Sequence, residues 1–447
     1  MKPTRFGRLL AVSLLTLVAC STTDILSVED PDIINPSAVN SPAGAAALYA
    51  GAVGEFAFAI VGDNGGLEGQ ILVSGSFTDE LINSETFPTR LEYELRQIDT
   101  RNGTLATVFR QLHRARVLLE ATVPALQKYG PTPPSRIGES YALAGFTYVF
   151  AGENYCSGVP FSASFPVVVY GVPLTTPEIF AVAIERFDSA MTYLLPSVDT
   201  TALARQLLSL ARVGKGRALL DRGEAGDYAA AAAAVASVPL NFVYATTHSL
   251  ASDRQRNGIF AFTWQNKRFS VADAEGTNGL NFRTALDPRV QVDRTPATNV
   301  GFDAFTPQWN PVKYPLGTSP TPIANGVEAQ LIIAENQLSL GDTTGWLNTL
   351  NSIRATAGVP GLAPLVDTAS ATARQNLMFR ERAFWLFLTG HRLGDLRRLM
   401  RQYGRLEEFT FPTGLGLKGF YGHDVNLPVP FDELNNPNFH GCIDRNP

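Results

Sequence analysis

Apolar residues recur at three- and four-residue spacings along most of the chain, which is the mark of amphipathic helices. Pro42 to Ala59 reads as a helix rich in small apolar side chains. Thr104 to Lys128 places Leu105, Val108, Leu112, Ala115, Leu118 and Leu119 at helical spacing, and Pro131, Pro133 and Pro134 close it. Ile137 to Phe150 follows, with Tyr141, Ala144, Gly145 and Tyr148 on one side. Pro177 to Leu195 starts well, because Thr176 can cap it and Pro177 suits its first turn. Leu207 to Arg222 and Tyr228 to Val238 form a pair across the polar turn Gly223-Glu224-Ala225-Gly226-Asp227. Val327 to Leu340 and Trp346 to Ala357 form another across Gly341-Asp342. Ala373 to Gln402 is the last helical stretch, and Leu427 to Pro437 a final turn.

Small alanines between large apolar residues let such pairs approach closely. The arrangement resembles tetratricopeptide (TPR) repeats, without their strict period of about 34 residues. Between the helices the pattern breaks. Gly62 to Pro88 is rich in Gly, Ser, Asp and Asn and reads as loop, as does Gly158 to Pro173. Residues 239–325 are rich in Phe, Asn, Pro, Asp and Thr, with short β-prone pieces such as Gly258 to Trp264. The expected fold is mainly α: TPR-like α-helix pairs with a loop-rich, partly β second lobe. The expected organisation is a leader at 1–19, a polar tether at 20–40, a helical region at 41–238, an inserted loop-rich lobe at 239–325 and a second helical region at 326–447.

The leader changes the picture from fold to location. Lys2, Arg5 and Arg8 precede an apolar run from Leu9 to Val18, which is shorter than the roughly 20 residues a membrane span needs. Charge, a short apolar run and small residues at a cut site make a secretory signal. Here the site is Leu17-Val18-Ala19-Cys20, similar to the bacterial lipobox, in which the cysteine becomes the first mature residue and carries a lipid. Acyl chains on Cys20 would hold the folded protein at a membrane surface. Cys156 and Cys442 are the other two cysteines. Export to an oxidising compartment favours a Cys156–Cys442 disulfide, the alternative being two separate buried thiols. A formal net charge of −5, more negative once the leader is gone, argues against a nucleic-acid partner.

Catalytic chemistry is sparse. Gly414-x-Gly416-x-x-Gly419 spells a dinucleotide fingerprint, but no βαβ unit surrounds it. There is no GxxxxGK[ST], no HExxH and no Gly-x-Ser-x-Gly elbow. The five histidines, at 113, 248, 391, 423 and 440, are scattered, and Asp63-Asn64-Gly65-Gly66 lacks the spaced carboxylates of a calcium loop. Asp79 and Glu80 would be the first suspects for a glycosidase carboxylate pair, although loop acids are usually only solvated. No catalytic residue, cofactor or metal is assigned, and the chain is read as a binder rather than an enzyme.

Four features in order resemble the SusD/RagB family of outer-membrane nutrient-binding lipoproteins. The first is the lipobox ending at Cys20. The second runs from Ala329-Gln-Leu-Ile-Ile-Ala-Glu-Asn-Gln through Gly341-Asp342 to Leu350-Asn351-Ser352-Ile353-Arg354-Ala355-Thr356-Ala357-Gly358. The third is Arg380-Glu381-Arg382-Ala383-Phe384-Trp385 with Gly390-His391-Arg392-Leu393-Gly394-Asp395-Leu396-Arg397-Arg398. The fourth is Leu427-Pro428-Val429-Pro430, Glu433 and Asn436-Pro437-Asn438. The chain departs from the family at Thr389 and Leu393, and Ser21-Thr22-Thr23-Asp24 lacks a dense acidic run. The third motif reads physically as ion pairs along or between helices, made by Arg380, Glu381, Arg392, Asp395 and Arg398, rather than as a catalytic set of Glu381, His391 and Asp395. The resemblance implies capture of oligosaccharide or another nutrient, and a SusC-like TonB-dependent transporter as partner. The rival readings are a TPR scaffold for envelope proteins and a lipid-anchored glycoside hydrolase. The resemblance also implies a ligand face built from loops. That points to Phe87, with Asn83 and Arg90 nearby, and to Trp264 and Trp309 in the middle lobe. Trp346 and Trp385 fall on predicted helices, where packing is the ordinary role.

Overall fold

The computed structural model describes residues 40–164 and 167–447. The leader, Cys20 and the tether up to residue 39 lie outside the described residues. The fold is mainly α-helical, with short two-stranded pairings.

Helix α1, Pro42–Val61, starts on Ser41, whose hydroxyl accepts the Gly44 N–H at 3.0 Å. It is long and apolar enough to cross a membrane by composition, yet it packs on a later helix, and Leu48, Phe56, Ile60 and Val61 are buried. The segment after it, expected as loop, holds α2 (Gly69–Phe77), β1 (Leu81–Asn83) and α3 (Pro88–Glu94). Every residue of α2 is buried. Its Gly and Ser content favours loop, but Ile71, Leu72, Val73 and Phe77 bury enough apolar surface to override local preference.

Next come α4 (Gly103–Tyr129), α5 (Ser135–Asn154), α6 (Thr176–Leu194), α7 (Ala202–Arg222) and α8 (Asp227–Val235). Asn102 caps α4, a Thr175–Glu178 capping box starts α6, and Thr201 caps α7. After the middle lobe follow α9 (Gly326–Ser339), capped by Asn325, and α10 (Thr343–Thr356), capped by Asp342. Neighbours pack in sequence: α1 on α4, then α5, α6, α7, α8, α9 and α10, a TPR-like row. Glycines set the closeness of α5 and α6. A Cβ on Gly138, Gly145 or Gly152 would come within 2.5, 2.8 and 2.8 Å of Leu194, Phe187 and Phe180 respectively. The seven-residue spacing puts all three glycines on one side of α5, and the three large α6 side chains fill the space.

Residues 373–402, expected as one helical stretch, form two helices: α11 (Ala371–Trp385) and α12 (Arg392–Arg401). Leu388 (φ 49) and Gly390 (φ 78) take left-handed backbone between them, which ends the first helix. The turn lets ion pairs cross between elements. Arg398 meets Glu335 at 2.5 Å, Asp395 at 2.7 Å and Asp221 at 3.0 Å, and Arg382 meets Asp395 at 2.9 Å. Arg217 forks onto Glu153, and Glu381 takes Arg289 at 2.7 Å and Arg354 at 2.8 Å. Arg380 instead donates to the Asn281 side-chain oxygen at 3.1 Å.

Strands β2 (Val159–Pro160) and β3 (Pro173–Leu174) pair beside the disulfide, which joins Cys156 to Cys442 with Cα atoms 6.1 Å apart. The middle lobe leaves and rejoins the helices through one antiparallel pair, β4 (Val243–Thr246) with β8 (Thr321–Asn325). Within it, β5 (Phe269–Val271) pairs with β1, and β6 (Val292–Asp293) with β7 (Asn310–Pro311). The piece Gly258 to Trp264, expected to be β-prone, is instead helical. Asn257 caps the turn Gly258–Phe260, which runs into a π-turn at Ala261–Gln265. One buried cluster runs through both helical regions and the middle lobe.

Candidate ligand-binding face

The pairing of β1 with β5 brings together the two segments that the sequence singled out separately. Asn83 faces Phe269 in that register. Its side-chain oxygen accepts the Glu85 N–H at 2.8 Å, which turns the chain toward Phe87. Ser84 donates from its hydroxyl to the Lys267 carbonyl at 2.8 Å. Gly301 lies against Ser84 so closely that a Cβ there would be 2.4 Å from the serine Cβ. The Phe302 N–H donates to the Lys267 carbonyl at 2.9 Å, and the Asp303 N–H to the Ser84 carbonyl at 3.0 Å.

The buried Glu85 carboxylate anchors this junction. It takes Arg90 at 2.5 Å on one oxygen and Arg268 on the other. Arg90 also pairs with Glu68. Fixed in this way, the Arg268 guanidinium lies 5.3 Å from the Phe87 ring centre and 4.7 Å from that of Phe302. Phe87 is 48% exposed and Phe302 56% exposed. The result is a phenyl–guanidinium–phenyl stack open to solvent, with each cation–π contact favourable by about 0.5–1 kcal/mol at an exposed site.

The loop beside it is held by Asp303. Its Oδ1 accepts the N–H groups of Phe305 and Thr306 at 2.9 and 2.8 Å, and its other oxygen meets Lys418. Partial burial works against ionisation, but Lys418 and these donors outweigh it and hold the carboxyl down at about 2. The ion pair to Lys418 also ties in the Gly414–Gly419 hairpin, whose ends bridge at Leu415 and Phe420. Phe305 and Phe420 are largely exposed, at 70% and 69%. After Phe420 in the chain, Tyr421, His423 and Asp424 line a shallow groove of about 640 Å³ together with Arg96 and Gln97.

The other anticipated residues lie deeper. Asn83 is fully buried and Arg90 nearly so, and both stand behind the surface as supports for Glu85. Trp264 is half-buried on the π-turn and donates its indole N–H to the Pro311 carbonyl at 3.0 Å. Trp309 is half-buried against the core, and its backbone N–H donates to the Ser270 hydroxyl oxygen at 2.9 Å. Trp346 is completely buried. Arg268, Phe302 and Phe305 were not anticipated individually. The only signal was the Phe- and Asn-rich composition of residues 239–325.

The remaining suspects have structural partners. Asp79 and Glu80 were expected to be solvated loop acids and are instead buried. Arg392 forks onto Asp79 at 2.6 and 2.7 Å, and Glu80 accepts the Leu388 N–H at 2.8 Å. Burial lifts the Glu80 carboxyl to about 8. His391 lies in the core, with Nε2 2.9 Å from Glu328. Asp63 accepts three successive N–H groups, from Gly65, Gly66 and Leu67, all at 2.9 Å. Among the described residues, no group of three metal-ligating side chains converges.

Residues 327–424, which contain α9 to α12, match the model of the SusD family. The fold is SusD-like. It is shared by solved structures over nearly their whole length. A SusD superfamily protein from Bacteroides thetaiotaomicron has 15% identity and a TM-score of 0.64, covering 90% of this chain and 99% of its own. A laminarin binding SusD-like protein has 16% identity and a TM-score of 0.64, with the same coverage of 90% and 99%. Surface glycan-binding protein A from Bacteroides thetaiotaomicron has 10% identity and a TM-score of 0.65, covering 91% and 100%. No curated protein matches the chain in sequence. At these identities the structural likeness is one of fold, and the SusD family signature is carried by the C-terminal helices.

Proposed function

We propose that this SusD-like protein captures oligosaccharide on the Phe87–Arg268–Phe302 face and passes it to a SusC-like TonB-dependent transporter. In this reading a lipid on Cys20 holds it at the outer membrane, and no covalent step occurs. The observation that carries the proposal is the exposed phenyl–guanidinium–phenyl stack at the junction of the helical row and the middle lobe. Sugars present apolar C–H faces and hydroxyl rims, so their sites combine open rings with fixed polar groups. Phe87, Phe302 and Phe305 supply the rings. Asn64, on the loop between α1 and α2, and Gln265 and Asn266, at the end of the π-turn, supply amides: Gln265 and Asn266 both donate to the Asn64 side-chain oxygen, at 2.9 and 3.3 Å. The laminarin-binding and surface glycan-binding relatives support this reading through their shared fold.

The test is a glycan array probed with the purified full chain and with its Phe87→Ala/Phe302→Ala variant. The proposal expects binding to at least one glycan, lost in the variant while the melting curve is kept. Binding that survives the double substitution would overturn the assignment. For the anchor, Cys20→Ala should release the protein from the membrane fraction, and unchanged attachment would contradict it.

A further inference from the structure

The charge on this face is arranged unevenly. Arg268 has Glu85 and Lys418 has Asp303. Three other cations, Lys267, Arg283 and Arg294, form no ion pair among the described residues. They nevertheless converge. Lys267 Nζ donates to the Asn299 side-chain oxygen at 2.7 Å, and Arg294 Nε points to the Asn299 carbonyl at 3.4 Å. Arg283 and Arg294 lie 4.8 and 5.3 Å from the centre of the Trp309 indole. All three side chains are half-buried, and Arg283 Nε has no hydrogen-bond partner.

The acids nearest to them are already engaged. Asp273 accepts the backbone N–H groups of Arg283 and Thr284 at 2.8 and 2.9 Å, and Asp293 accepts the Thr295 hydroxyl at 2.6 Å. Glu275 faces Leu417 N–H and the Tyr421 hydroxyl. Burial lowers Arg283 below the ordinary arginine value, Asp273 and Glu275 oppose this, and Arg294 adds repulsion. Asp273 and Glu275 act on Arg283, while Lys267 and Arg294 form no ion pair among the described residues; gathering half-buried cations with so little counter-charge is unfavourable, and such clusters are candidates for anion binding. In this light Trp309 is a support for guanidiniums rather than a platform for sugar.

We infer that Lys267, Arg283 and Arg294, gathered on Asn299 and Trp309 beside Phe302, form an anion subsite that selects negatively charged oligosaccharides, whose carboxylate or sulfate groups supply the counter-charge that Lys267 and Arg294 lack. The inference rests on the glycan-binding reading above and gives it a substrate class. Guanidinium and ammonium donors suit both carboxylate and sulfate oxygens.

The test is calorimetric titration of the full chain with matched pairs. The probes are oligogalacturonate against its methyl-esterified form, chondroitin sulfate oligosaccharide against its desulfated form, and neutral laminarin. The expected result is at least about tenfold tighter binding of one charged member than of its partner, weakening as ionic strength rises from about 0.05 M to about 0.5 M. Arg294→Gln and Lys267→Gln should each erase most of that preference with the melting curve unchanged. Arg283→Met gives a third readout, provided its melting curve also holds. Equal affinity for charged and neutral members would overturn the anion subsite and leave glycan capture standing. A preference that persists in both glutamine variants would overturn the residues assigned to it. No binding to any of these probes or on the array would overturn both readings.

Discussion

Arginine plays opposite parts in two regions of this molecule. In the C-terminal helices every guanidinium close to the core finds carboxylates or carbonyls: Arg398 has Glu335, Asp395 and Asp221, Arg382 has Asp395, and Arg397 has the carbonyls of Gly152 and Glu153. In the middle lobe Arg268, Arg283 and Arg294 lie against aromatic rings, and only Arg268 has an acid. The first arrangement meets its acids and carbonyls inside the protein and specifies how helices meet, although Arg397 Nε and Nη2 find no hydrogen-bond partner. The second leaves bonding capacity at the surface. In the proposal made above, the same side chain marks structure in one place and recognition in the other, and the difference lies in its partners.

The largest effect that tests this contrast is on stability. Arg398→Met should destabilise the protein by about 3–5 kcal/mol, because it strands buried carboxylates. Arg294→Gln should change stability by no more than about 0.5 kcal/mol. Denaturant midpoints measure both, and similar losses at the two sites would erase the distinction. Next in size is the disulfide. The C-terminal tail is already sewn to the end of α5 by the Cys156 N–H to Leu427 carbonyl and Leu427 N–H to Asn154 carbonyl bonds, at 2.9 and 2.8 Å. Cys442→Ser should still cost about 2–4 kcal/mol. It should leave glycan affinity unchanged, because the tail lies at the helical end; a loss of affinity with the fold intact would show that the two regions are coupled.

How much of this was legible follows the same division. The helical row could be read because it obeys a local rule, apolar positions at helical spacing, although the cap expected at Thr176 is made by Thr175, one residue earlier. The ion pairs of Arg398 and Asp395 were also accessible, since they share a helix at a spacing of three. Arg398 and Glu335 could not be paired from sequence, because the turn at Leu388 and Gly390 creates that contact. The segment 62–88 misled for a definite reason. Gly and Ser favour loop when solvated, and only tertiary burial makes α2 worth forming. Phe87 was identified as a surface ring, but Arg268 and Phe302 join it through the β1–β5 register, which no local pattern announces. Trp309 was expected to touch ligand; its ring has the guanidiniums of Arg283 and Arg294 beside it, at 4.8 and 5.3 Å, which no local pattern announces.

A smaller effect concerns the face itself. Phe302→Ala should weaken oligosaccharide binding about tenfold, equivalent to about 1.4 kcal/mol, with little change in melting temperature. Trp264→Ala should instead lower stability, because its indole N–H bond to the Pro311 carbonyl lies inside the lobe. The reverse pattern would move the ligand site from Phe302 to Trp264. The smallest expected effect is a change of slope. Burial holds Glu80 at about 8 against an ordinary value of 4.5, so the folded state keeps a proton that the unfolded state has released. Stability from this group therefore falls as pH rises from about 4.5 to about 8. Glu80→Gln removes that fall, so the melting temperature of the variant should gain on the parent across this window. A constant difference between the two curves would mean that Glu80 does not titrate there.

The central claim is that ligand lies on the loop face, against the phenyl rings of Phe87 and Phe302, and not on the helical row. A crystal structure of the protein with the tightest-binding oligosaccharide from the array tests it most directly. The account predicts a sugar ring in van der Waals contact with Phe87 or Phe302, and an acidic substituent within hydrogen-bond distance of Arg283, Arg294 or Lys267. Oligosaccharide bound against α4 to α8, with the Phe87–Arg268–Phe302 stack bare, would contradict it.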